Sequence, residues 1–490
     1  MNNTFYITTA IPYVNAAPHI GFALELIQTD ARLRYERLRR AEGLVHGLTG
    51  SDENSLKNVR AAETAGEEVG AFVERHAEEF KALQGVLDLS FDDFIRTREE
   101  RHMAGAQKLW SACKPEDIYK KSYSGMYCVG CEQFYTEKEV PTGECPDHKK
   151  PLERIEEENY FFTLSNYQEQ LEQLIESDTL RIIPETRKNE VLSFIRSGLE
   201  DFSISRSQER ARHWGVPVPG DEGQVMYVWF DALSNYITAL GYAQDDELYE
   251  KFWLENPERA HVIGKGILRF HAVYWPAMLL SAGVPLPTEL FVHGYITVEG
   301  EKMSKSIGNT IHPKELVDEY GTDAVRYYFL REIPSHGDGD FSRERMEERY
   351  AELANQLGNL VSRVAAMSVK YFDGELDDAA PAPGSREEAL EFAQAQELEK
   401  AMGDYDFKRY IDMVWVRVGE ANEQVDKEAP FKTVKIDEAA AKKTLSEVAR
   451  TIRQIAQALA PILPQTSAEI LERYGKVISK GESLFPRRDT

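Results

Sequence analysis

Cysteine and long apolar runs are both scarce in this chain. It has 4 cysteines in 490 residues, too few for a disulfide framework, and this favours a cytoplasmic location. No stretch reaches the roughly 20 apolar residues that a membrane helix needs. The opening residues, MNNTFYITTAIPY, lack a basic region followed by an apolar stretch, so we expect no secretion signal and no membrane association.

Positive charge is also in short supply. The chain has 58 lysine and arginine residues against 83 aspartate and glutamate residues, which gives a formal net charge of -25. An acidic surface repels nucleic acids and nucleotides at long range. We therefore expect any polyanionic partner to bind through local basic patches, with an affinity that falls as the salt concentration rises.

Strand-like and helix-like stretches alternate over most of the chain. Residues 5–11, FYITTAI, are typical of a short strand, and a helical pattern follows over residues 24–38. This alternation predicts an α/β fold with a doubly wound parallel sheet. It pauses at about 116–215, and long helical patterns dominate from about 343. We therefore predict a split α/β domain that carries an insertion and is followed by a C-terminal α-helical bundle.

Two short segments carry the residue types that polyphosphate chemistry needs. The segment 18–22, PHIGF, lies where a strand passes into a helix, and a helix N-terminus offers N–H groups to a phosphate. The loop 302–306, KMSKS, supplies two ammonium groups and two hydroxyls to a departing polyphosphate. A plain helix start and a solvated loop would explain each segment alone. Their occurrence on the two halves of one α/β domain favours a phosphate site.

The two segments resemble the HIGH and KMSKS motifs of class I aminoacyl-tRNA synthetases. Further stretches are similar to the methionyl-tRNA synthetase family, and the likeness covers nearly the whole chain: AIPYVNAAPHIG, TGSDENS, YVWFDALSNY, GKGILRFHAVYWPAM and FVHGYITVEGEKMSKSIGN. The resemblance implies a ligase that activates methionine with ATP and Mg²⁺ to methionyl-adenylate. It further implies transfer of the methionyl group to the 3′-terminal ribose of tRNA(Met), for translation.

The same resemblance implies a domain organisation. Residues 1–115 and 216–342 are expected to form the two halves of a Rossmann-type catalytic domain, and residues 116–215 an inserted connective-peptide domain. Residues 343–490 are expected to form a helical anticodon-binding domain. The dimerisation domain that the family often carries at its C-terminus is expected to be absent, and a monomer is therefore expected.

The insertion has the spacing of a structural zinc site. Cys128-x-x-Cys131 is followed by Cys145-x-x-His148, two pairs of ligands that suit tetrahedral coordination. Four unrelated residues are the alternative, which the double spacing disfavours. Because all four ligands come from the protein, the predicted zinc is structural and not catalytic. Cys113 falls outside the pattern and is expected to be a buried thiol.

The resemblance also implies an ATP site. Nine residues are expected to contact ATP: His19, Gly21, Phe22, Gly264, Gly266, Lys302, Ser304, Lys305 and Ser306. Of these, His19, Lys302 and Lys305 are expected to be catalytic. The family usually has a second histidine at Phe22 and often an acidic residue at Gly266. We hypothesise a rearranged nucleotide pocket in which Phe22 packs against the sugar or the base.

A methionine pocket is implied in the same way. Eight residues are expected to form it: Ile11, Tyr13, Asp52, Trp229, Ala232, Tyr236, Ile267 and His271. Asp52 is expected to hold the substrate ammonium, which needs a carboxylate once it leaves water. Aromatic rings suit the polarisable thioether. The alternative is that the aromatic residues pack a core and that Asp52 caps a helix.

Three residues are expected to read the anticodon. Asn359 and Arg363 lie one helical turn apart, and Phe431 offers a ring on which an unpaired base can stack. The family usually has tryptophan at Phe431, so stacking here is expected to be less extensive. For each residue alone, a structural role is the alternative.

Two other functions stay open on the sequence. The first is a synthetase for another apolar amino acid, such as leucine. The second is a zinc-containing tRNA-binding protein that has lost catalysis, for which Phe22 and Gly266 are the support. The main hypothesis requires that the turn at His19 and the loop with Lys302 and Lys305 converge on one triphosphate.

Overall fold

The structure is a computed structural model that describes residues 4–128, 133–135, 140–146, 149–303, 308–377 and 396–486. The chain divides into two units, each assembled from separate stretches. The first unit takes Met1–Pro18, Leu44–Gln84 and Phe91–Val292, and the second takes His19–Gly43, Gly85–Ser90 and His293–Thr490.

A six-stranded sheet organises the first unit. Its strands follow the order Asp93–Arg96, Val45–Ser51, Phe5–Thr9, Arg259–Gly264, Glu289–His293 and Arg181–Ile183. The strand Phe5–Thr9 is parallel to both of its neighbours, and all five of its residues are buried. Burial without alternation is typical of a parallel strand that is covered on both faces, which explains the continuous run of aromatic and β-branched residues.

Helices surround this sheet in the first unit: Leu56–Ala65, Val69–Val86, Glu100–Ala112, Gln168–Glu176, Glu185–Arg196, Val228–Leu233, Asn235–Thr238, Glu247–Tyr249 and Trp275–Ala282. Two π-helical turns, Glu250–Leu254 and Phe270–Tyr274, contribute large aromatic residues to the core. Trp253 and Trp275 are both fully buried there.

Two antiparallel sheets complete the first unit. Ile118–Cys128 pairs with Glu153–Phe162 over most of its length. The edges of this sheet are Gln133–Tyr135 and Phe202–Ser203, and the other sheet consists of Pro217–Val218, Asp221–Met226 and Ser205–Ser207. The segment that the sequence marks as an insertion also supplies an edge strand to the parallel sheet, Arg181–Ile183, which pairs with Glu289–His293.

The second unit is mainly helical. Its helices are Ile20–Arg39, Pro313–Tyr320, Thr322–Arg331, Arg343–Glu352, Asn359–Phe372, Gln396–Gly403, Phe407–Glu428, Pro430–Thr433, Glu438–Leu459 and Pro464–Arg473. A small sheet of Glu301–Lys302, Ile296–Val298 and Gly339–Phe341 accompanies them. Tyr327 stacks on Trp415 with ring centroids 4.9 Å apart. The predicted α/β fold with a parallel sheet and C-terminal helices is confirmed.

One buried ion pair ties several parts of the second unit together. Arg326 lies 2.7 Å from the Asp30 carboxylate, and both side chains are fully buried. Arg326 also donates to the backbone oxygens of Leu87, Pro461 and Ile462. It therefore holds the helix Ile20–Arg39 to the turn between the helices Glu438–Leu459 and Pro464–Arg473. No described helix of the protein has the length and apolar character to cross a membrane.

Candidate active site

The candidate site of the first unit lies at the carboxyl ends of two neighbouring strands, Phe5–Thr9 and Arg259–Gly264. The next strand in the chain after Phe5–Thr9 lies on one side of this pair, and the next strand after Arg259–Gly264 lies on the other side. Where the direction of strand addition reverses in this way, open α/β sheets have a crevice that binds ligands. Ile11 and Tyr13 follow the first strand. Gly264 ends the second strand, and Gly266 and Ile267 lie in the short turn after it.

Asp52 is fixed beside Tyr13 by backbone hydrogen bonds. The Asp52 N–H donates to Pro12 O at 2.8 Å, and the Val14 N–H donates to Asp52 O at 3.4 Å. The Asp52 residue is buried, with 2% of its surface exposed. A Cβ at Gly50 would lie 2.2 Å from Ile95 O, so glycine is required for the strand before Asp52 to pack as it does.

Aromatic side chains from distant segments meet around Trp229. Its indole stacks on Phe270 with ring centroids 3.8 Å apart and an angle of 7° between the planes. Tyr13 and His271 meet the indole edge-on, with centroids at 6.5 and 6.4 Å. Ala232, one helical turn after Trp229, is buried. The structure thus brings together residues that the sequence assigned to one pocket.

The hydroxyl of Tyr236 is paired with His271. Tyr236 Oη lies 2.7 Å from His271 Nε2, and His271 Nδ1 lies 2.9 Å from Ile267 O. Because a carbonyl only accepts, Nδ1–H donates to Ile267, and Nε2 accepts the hydroxyl proton of Tyr236. Burial lowers the pKa of His271 to about 4, so the ring is neutral at neutral pH.

The sequence reasoning missed two residues of this cluster, Phe270 and His261. His261 stacks on Tyr236 with centroids 4.0 Å apart, and its Nδ1 lies 2.7 Å from Thr8 Oγ1. Burial, helped by the nearby His271, lowers the pKa of His261 well below its usual value. A histidine within the apolar strand AHVIG was the available signal. Phe270 carries no such signal, because it is one of many aromatic residues in its segment.

In the second unit, His19 is the N-cap of the helix Ile20–Arg39. Its Nδ1 accepts a hydrogen bond from the Gly21 N–H at 3.1 Å. The proton of the neutral ring is therefore on Nε2. Phe22 packs its ring against the His19 ring, with centroids 4.5 Å apart and planes tilted by 35°.

The lysine-rich loop approaches the same turn from far along the chain. A Cβ placed on Gly21 would lie 2.8 Å from His19 Cε1 and 3.4 Å from Met303 Cε, so only glycine leaves room for both. The Ile20 N–H donates to Ile311 O at 3.1 Å. Residues on both sides of the loop thus contact the turn. Lys302 is exposed in the strand Glu301–Lys302, whereas Ser304, Lys305 and Ser306 lie outside the described residues.

Comparison with known proteins shows what this arrangement resembles. The model of the family "tRNA synthetases class I (M)" matches residues 5–154 and 147–365. The methionine–tRNA ligase of Caldanaerobacter subterraneus subsp. tengcongensis is 41% identical over 519 residues, covering 100% of this chain and 80% of the relative. That of Brucella suis biovar 1 is 43% identical over 486 residues, covering 96% and 91%.

A solved structure is similar over its whole length. It is Mycobacterium tuberculosis methionyl-tRNA synthetase in complex with methionyl-adenylate, with a TM-score of 0.90 and 38% identity, covering 99% of this chain and 100% of that chain. The chain belongs to the methionyl-tRNA synthetase family. Membership makes it a class I ligase that joins methionine to tRNA with ATP, and it disfavours the alternative of another apolar amino acid.

Two of the four residues that are expected to bind zinc lie within the described residues. Cys128 and Cys145 are buried in one small apolar cluster with Tyr135 and Leu152. Cys131 and His148 lie outside the described residues. In the part of the chain that the structure describes, no three potential ligands form a metal-binding group. Cys113 is buried, as predicted, and burial raises its pKa to about 12.

Two of the three anticodon candidates, Arg363 and Phe431, lie near the end of one helix. Arg363 pairs with Asp426 at 2.5 Å, close to the end of the helix Phe407–Glu428. Phe431 follows in the next short helix and is 40% exposed, with Lys432 Nζ 5.5 Å from its ring centroid. Asn359 is exposed at the start of the helix that carries Arg363.

Proposed function

We propose that this chain ligates methionine to tRNA in two steps, with the first-unit residues binding methionine and the second-unit residues binding the phosphates of ATP. The first step joins methionine and ATP to methionyl-adenylate and pyrophosphate, and the second transfers the methionyl group to the 3′-terminal ribose of tRNA(Met). The meeting of Tyr13, Trp229, Tyr236 and His271 beside Asp52 carries this proposal. The methionyl-adenylate in the similar structure supports it.

The first-unit site recognises methionine. The Asp52 carboxylate holds the substrate ammonium, because an ammonium leaves water only for a charged partner. Trp229 and Tyr13 enclose the thioether side chain, and the neutral Tyr236–His271 pair gives it a weak polar contact. Three apolar side chains complete the wall: Ile11, Ala232 and Ile267.

The phosphate residues belong to the second unit. The methionine carboxylate is ionised at neutral pH, so attack on the α-phosphorus needs no general base. His19 Nε2–H and the N-terminus of its helix bind phosphate oxygens, and Gly21 permits their close approach. Lys302 and Lys305 neutralise the departing pyrophosphate, with Ser304 and Ser306 as hydrogen-bond donors. Mg²⁺ bound with ATP shares that charge.

The two departures from the family fit an active enzyme in this scheme. Phe22 supports the His19 ring by packing, where a second histidine would add a hydrogen-bonding group. Gly266 and Gly264 leave the nucleotide side of the turn without bulky side chains. The competing proposal is a tRNA-binding protein without catalysis, and the same two departures are what favour it.

A zinc ion held by Cys128, Cys131, Cys145 and His148 belongs to the proposal. The burial of two of these thiols in one cluster fits such a site, because thiolates are ligands that Zn²⁺ prefers. With four protein ligands, the ion stabilises the insertion and takes no part in the reaction. One zinc per chain by elemental analysis, and its loss in Cys145→Ser, is the expected result.

The remaining parts of the proposal concern tRNA recognition, the domain boundaries, the oligomeric state and the cellular location. Asn359, Arg363 and Phe431 read the anticodon, and the domain boundaries are residues 1–115, 116–215, 216–342 and 343–490. The protein is a cytoplasmic monomer. Light scattering of the purified chain and fractionation of its host cells test these last two points.

Exchange of labelled pyrophosphate into ATP tests the proposed function. We expect exchange that depends on methionine and is absent with leucine, isoleucine or valine. Asp52→Asn should abolish the exchange at low methionine concentration. Exchange driven better by another amino acid would overturn the substrate assignment. A folded protein that binds tRNA but shows no exchange would establish the non-catalytic alternative.

A further inference from the structure

A chain of buried hydrogen bonds extends from Asp52 into the first unit. The Asn54 backbone N–H donates to Asp52 Oδ1 at 3.1 Å. The Asn54 side chain donates to Asp231 Oδ2 at 2.8 Å, and Asp231 Oδ1 lies 2.6 Å from His102 Nε2. Asn54 is 6% exposed, and Asp231 and His102 are fully buried. The sequence reasoning assigned no role to these three residues.

The donors and acceptors of this chain determine its orientation. Asn54 Nδ2 donates to Thr97 O at 3.1 Å as well as to Asp231. A reversed amide would direct its oxygen at two acceptors, so the observed orientation is the only one that satisfies both partners. With both Nδ2 protons engaged, the Asn54 side chain cannot rotate without breaking two hydrogen bonds, and its backbone N–H stays directed at Asp52.

His102 anchors the far end of the chain. Its Nδ1 lies 2.9 Å from Thr238 Oγ1, so both ring nitrogens have partners. The close packing depends on Gly105, where a Cβ would lie 2.3 Å from Thr238 Cγ2. The helix Glu100–Ala112 can therefore press His102 against the helix Asn235–Thr238.

A contribution to stability does not by itself explain the buried Asn54–Asp231–His102 network. Apolar residues of similar volume are often as stable as a buried ionised group and its partners. A network of buried hydrogen bonds does, however, hold its members in one geometry, and here it leaves only Asn54 Oδ1, among the polar side-chain atoms of these three residues, without a partner. Here the network ends on the carboxylate that the substrate requires, and such a group must be held within about 0.5 Å of its working position.

We propose that His102 and Asp231 are positioning residues that act through Asn54 to orient the Asp52 carboxylate toward the ammonium of methionine. The inference rests on the proposed function of Asp52. It predicts that damage to the network weakens the binding of ligands through their ammonium group and leaves the rest of the pocket intact.

Two inhibitors of the pyrophosphate exchange reaction separate these effects. Methioninol keeps the ammonium and the thioether, whereas 4-(methylsulfanyl)butanoate keeps the thioether and lacks the ammonium. We expect His102→Gln and Asp231→Asn to raise the inhibition constant of methioninol by about tenfold, which is the equivalent of one hydrogen bond to a charged group. The inhibition constant of 4-(methylsulfanyl)butanoate should change less than about twofold.

A matched control removes another buried hydrogen bond of the same unit. Ser281 Oγ donates to Asp117 Oδ2 at 2.7 Å, and neither residue belongs to the site. Ser281→Ala should lower the melting temperature and leave both inhibition constants unchanged. If His102→Gln does not fold, Thr238→Val removes the outer partner of His102 and should reproduce the ammonium-dependent loss.

A double-mutant cycle tests whether His102 affects methioninol binding through Asp52. In the Asp52→Asn background, with methioninol affinity measured by equilibrium binding instead of exchange, His102→Gln should cause no further loss, because the oriented group is already gone. Equal losses for both inhibitors, or losses that add in the double variant, would overturn the inference. If Asp52→Asn alone leaves methioninol binding unchanged, the proposed function of Asp52 fails first, and the inference fails with it.

Discussion

At the scale of single residues, the two histidines of the proposed mechanism are held in different tautomers by their neighbours. His19 accepts a backbone hydrogen bond at Nδ1, which places its proton on Nε2. His271 donates from Nδ1 and accepts from Tyr236 at Nε2. Each ring is therefore restricted to one neutral tautomer by its neighbours. His19 carries its proton on Nε2, and His271 keeps the methionine pocket uncharged.

Phe22 should matter because it holds the His19 ring. We predict that Phe22→Ala lowers kcat of pyrophosphate exchange by about tenfold or more, since a displaced donor loses its alignment with the phosphate. The KM for methionine should stay unchanged. Phe22→Tyr keeps the ring contact and should keep kcat. Wild-type kcat in Phe22→Ala, measured at saturating ATP, would contradict this role.

The burial of His271 predicts a dependence of stability on pH. Its pKa is about 4 in the folded protein and near 6.5 when unfolded, so the unfolded state binds the proton more readily. The neutral ring of His271 makes its full contribution to the unfolding free energy above pH 6.5, and this contribution is lost as the pH falls toward 4. The unfolding free energy that is lost in this way between pH 7 and pH 5 amounts to about 2 kcal/mol.

Urea unfolding of wild type and His271→Gln at the two pH values measures this effect. The wild type should lose more stability on acidification than the variant, whatever the difference between them at pH 7. His261 acts in the same direction in both proteins, so the difference between them reports His271 together with its effect on His261. Equal losses in the two proteins would show that His271 is not buried in its neutral form.

At the scale of elements, the helix Ile20–Arg39 presents His19 and is anchored along its length. The Ile20 N–H bonds to Ile311 at the start of the helix, and Asp30 pairs with Arg326 near its middle. Burial alone would raise the pKa of Asp30, but Arg326, Arg34 and Ser90 together lower it below its usual value. The ionised carboxylate is therefore the form that the fold requires.

Arg326→Ala should be severely destabilising. Removing one partner of a buried ion pair leaves the Asp30 charge without its main partner, at a cost of about 3–5 kcal/mol. The exposed pair of Lys314 and Asp318 is the control, and Lys314→Ala should cost less than about 1 kcal/mol. Denaturant unfolding measures both, and similar losses would contradict the structural role of Arg326.

The sequence predicted elements better than it predicted contacts between them. The apolar run of the first strand and the glycine of PHIGF could be interpreted from local rules. The Asn54–Asp231–His102 chain could not, because its members lie in three segments and each has an ordinary explanation. His261 also needed the structure, since only the neighbouring strand and Tyr236 show what its ring contacts.

At the scale of the whole molecule, tRNA must bind to a chain with a net charge of -25. We propose that its recognition depends on local features such as Phe431, which has Lys432 beside its ring. We predict that Phe431→Ala lowers kcat/KM for tRNA charging by roughly tenfold or more, because a stacked base contributes about 1–3 kcal/mol. Exchange of pyrophosphate should be unaffected.

Val416→Ala is the matched control for this prediction. Val416 is an exposed apolar residue of the same unit, 60% accessible, and is not among the anticodon candidates. The control should charge tRNA as the wild type does. If Phe431→Ala and Val416→Ala behave alike, Phe431 is a surface residue without a role in reading the anticodon.

The most direct test of the account is to look for its intermediate. The purified chain is mixed with ATP, Mg²⁺ and methionine without tRNA, the reaction is quenched, and methionyl-adenylate is measured by mass spectrometry. The account predicts close to one adenylate per chain, formed with an equal amount of pyrophosphate and absent when leucine replaces methionine. No adenylate from a folded, tRNA-binding protein would contradict it.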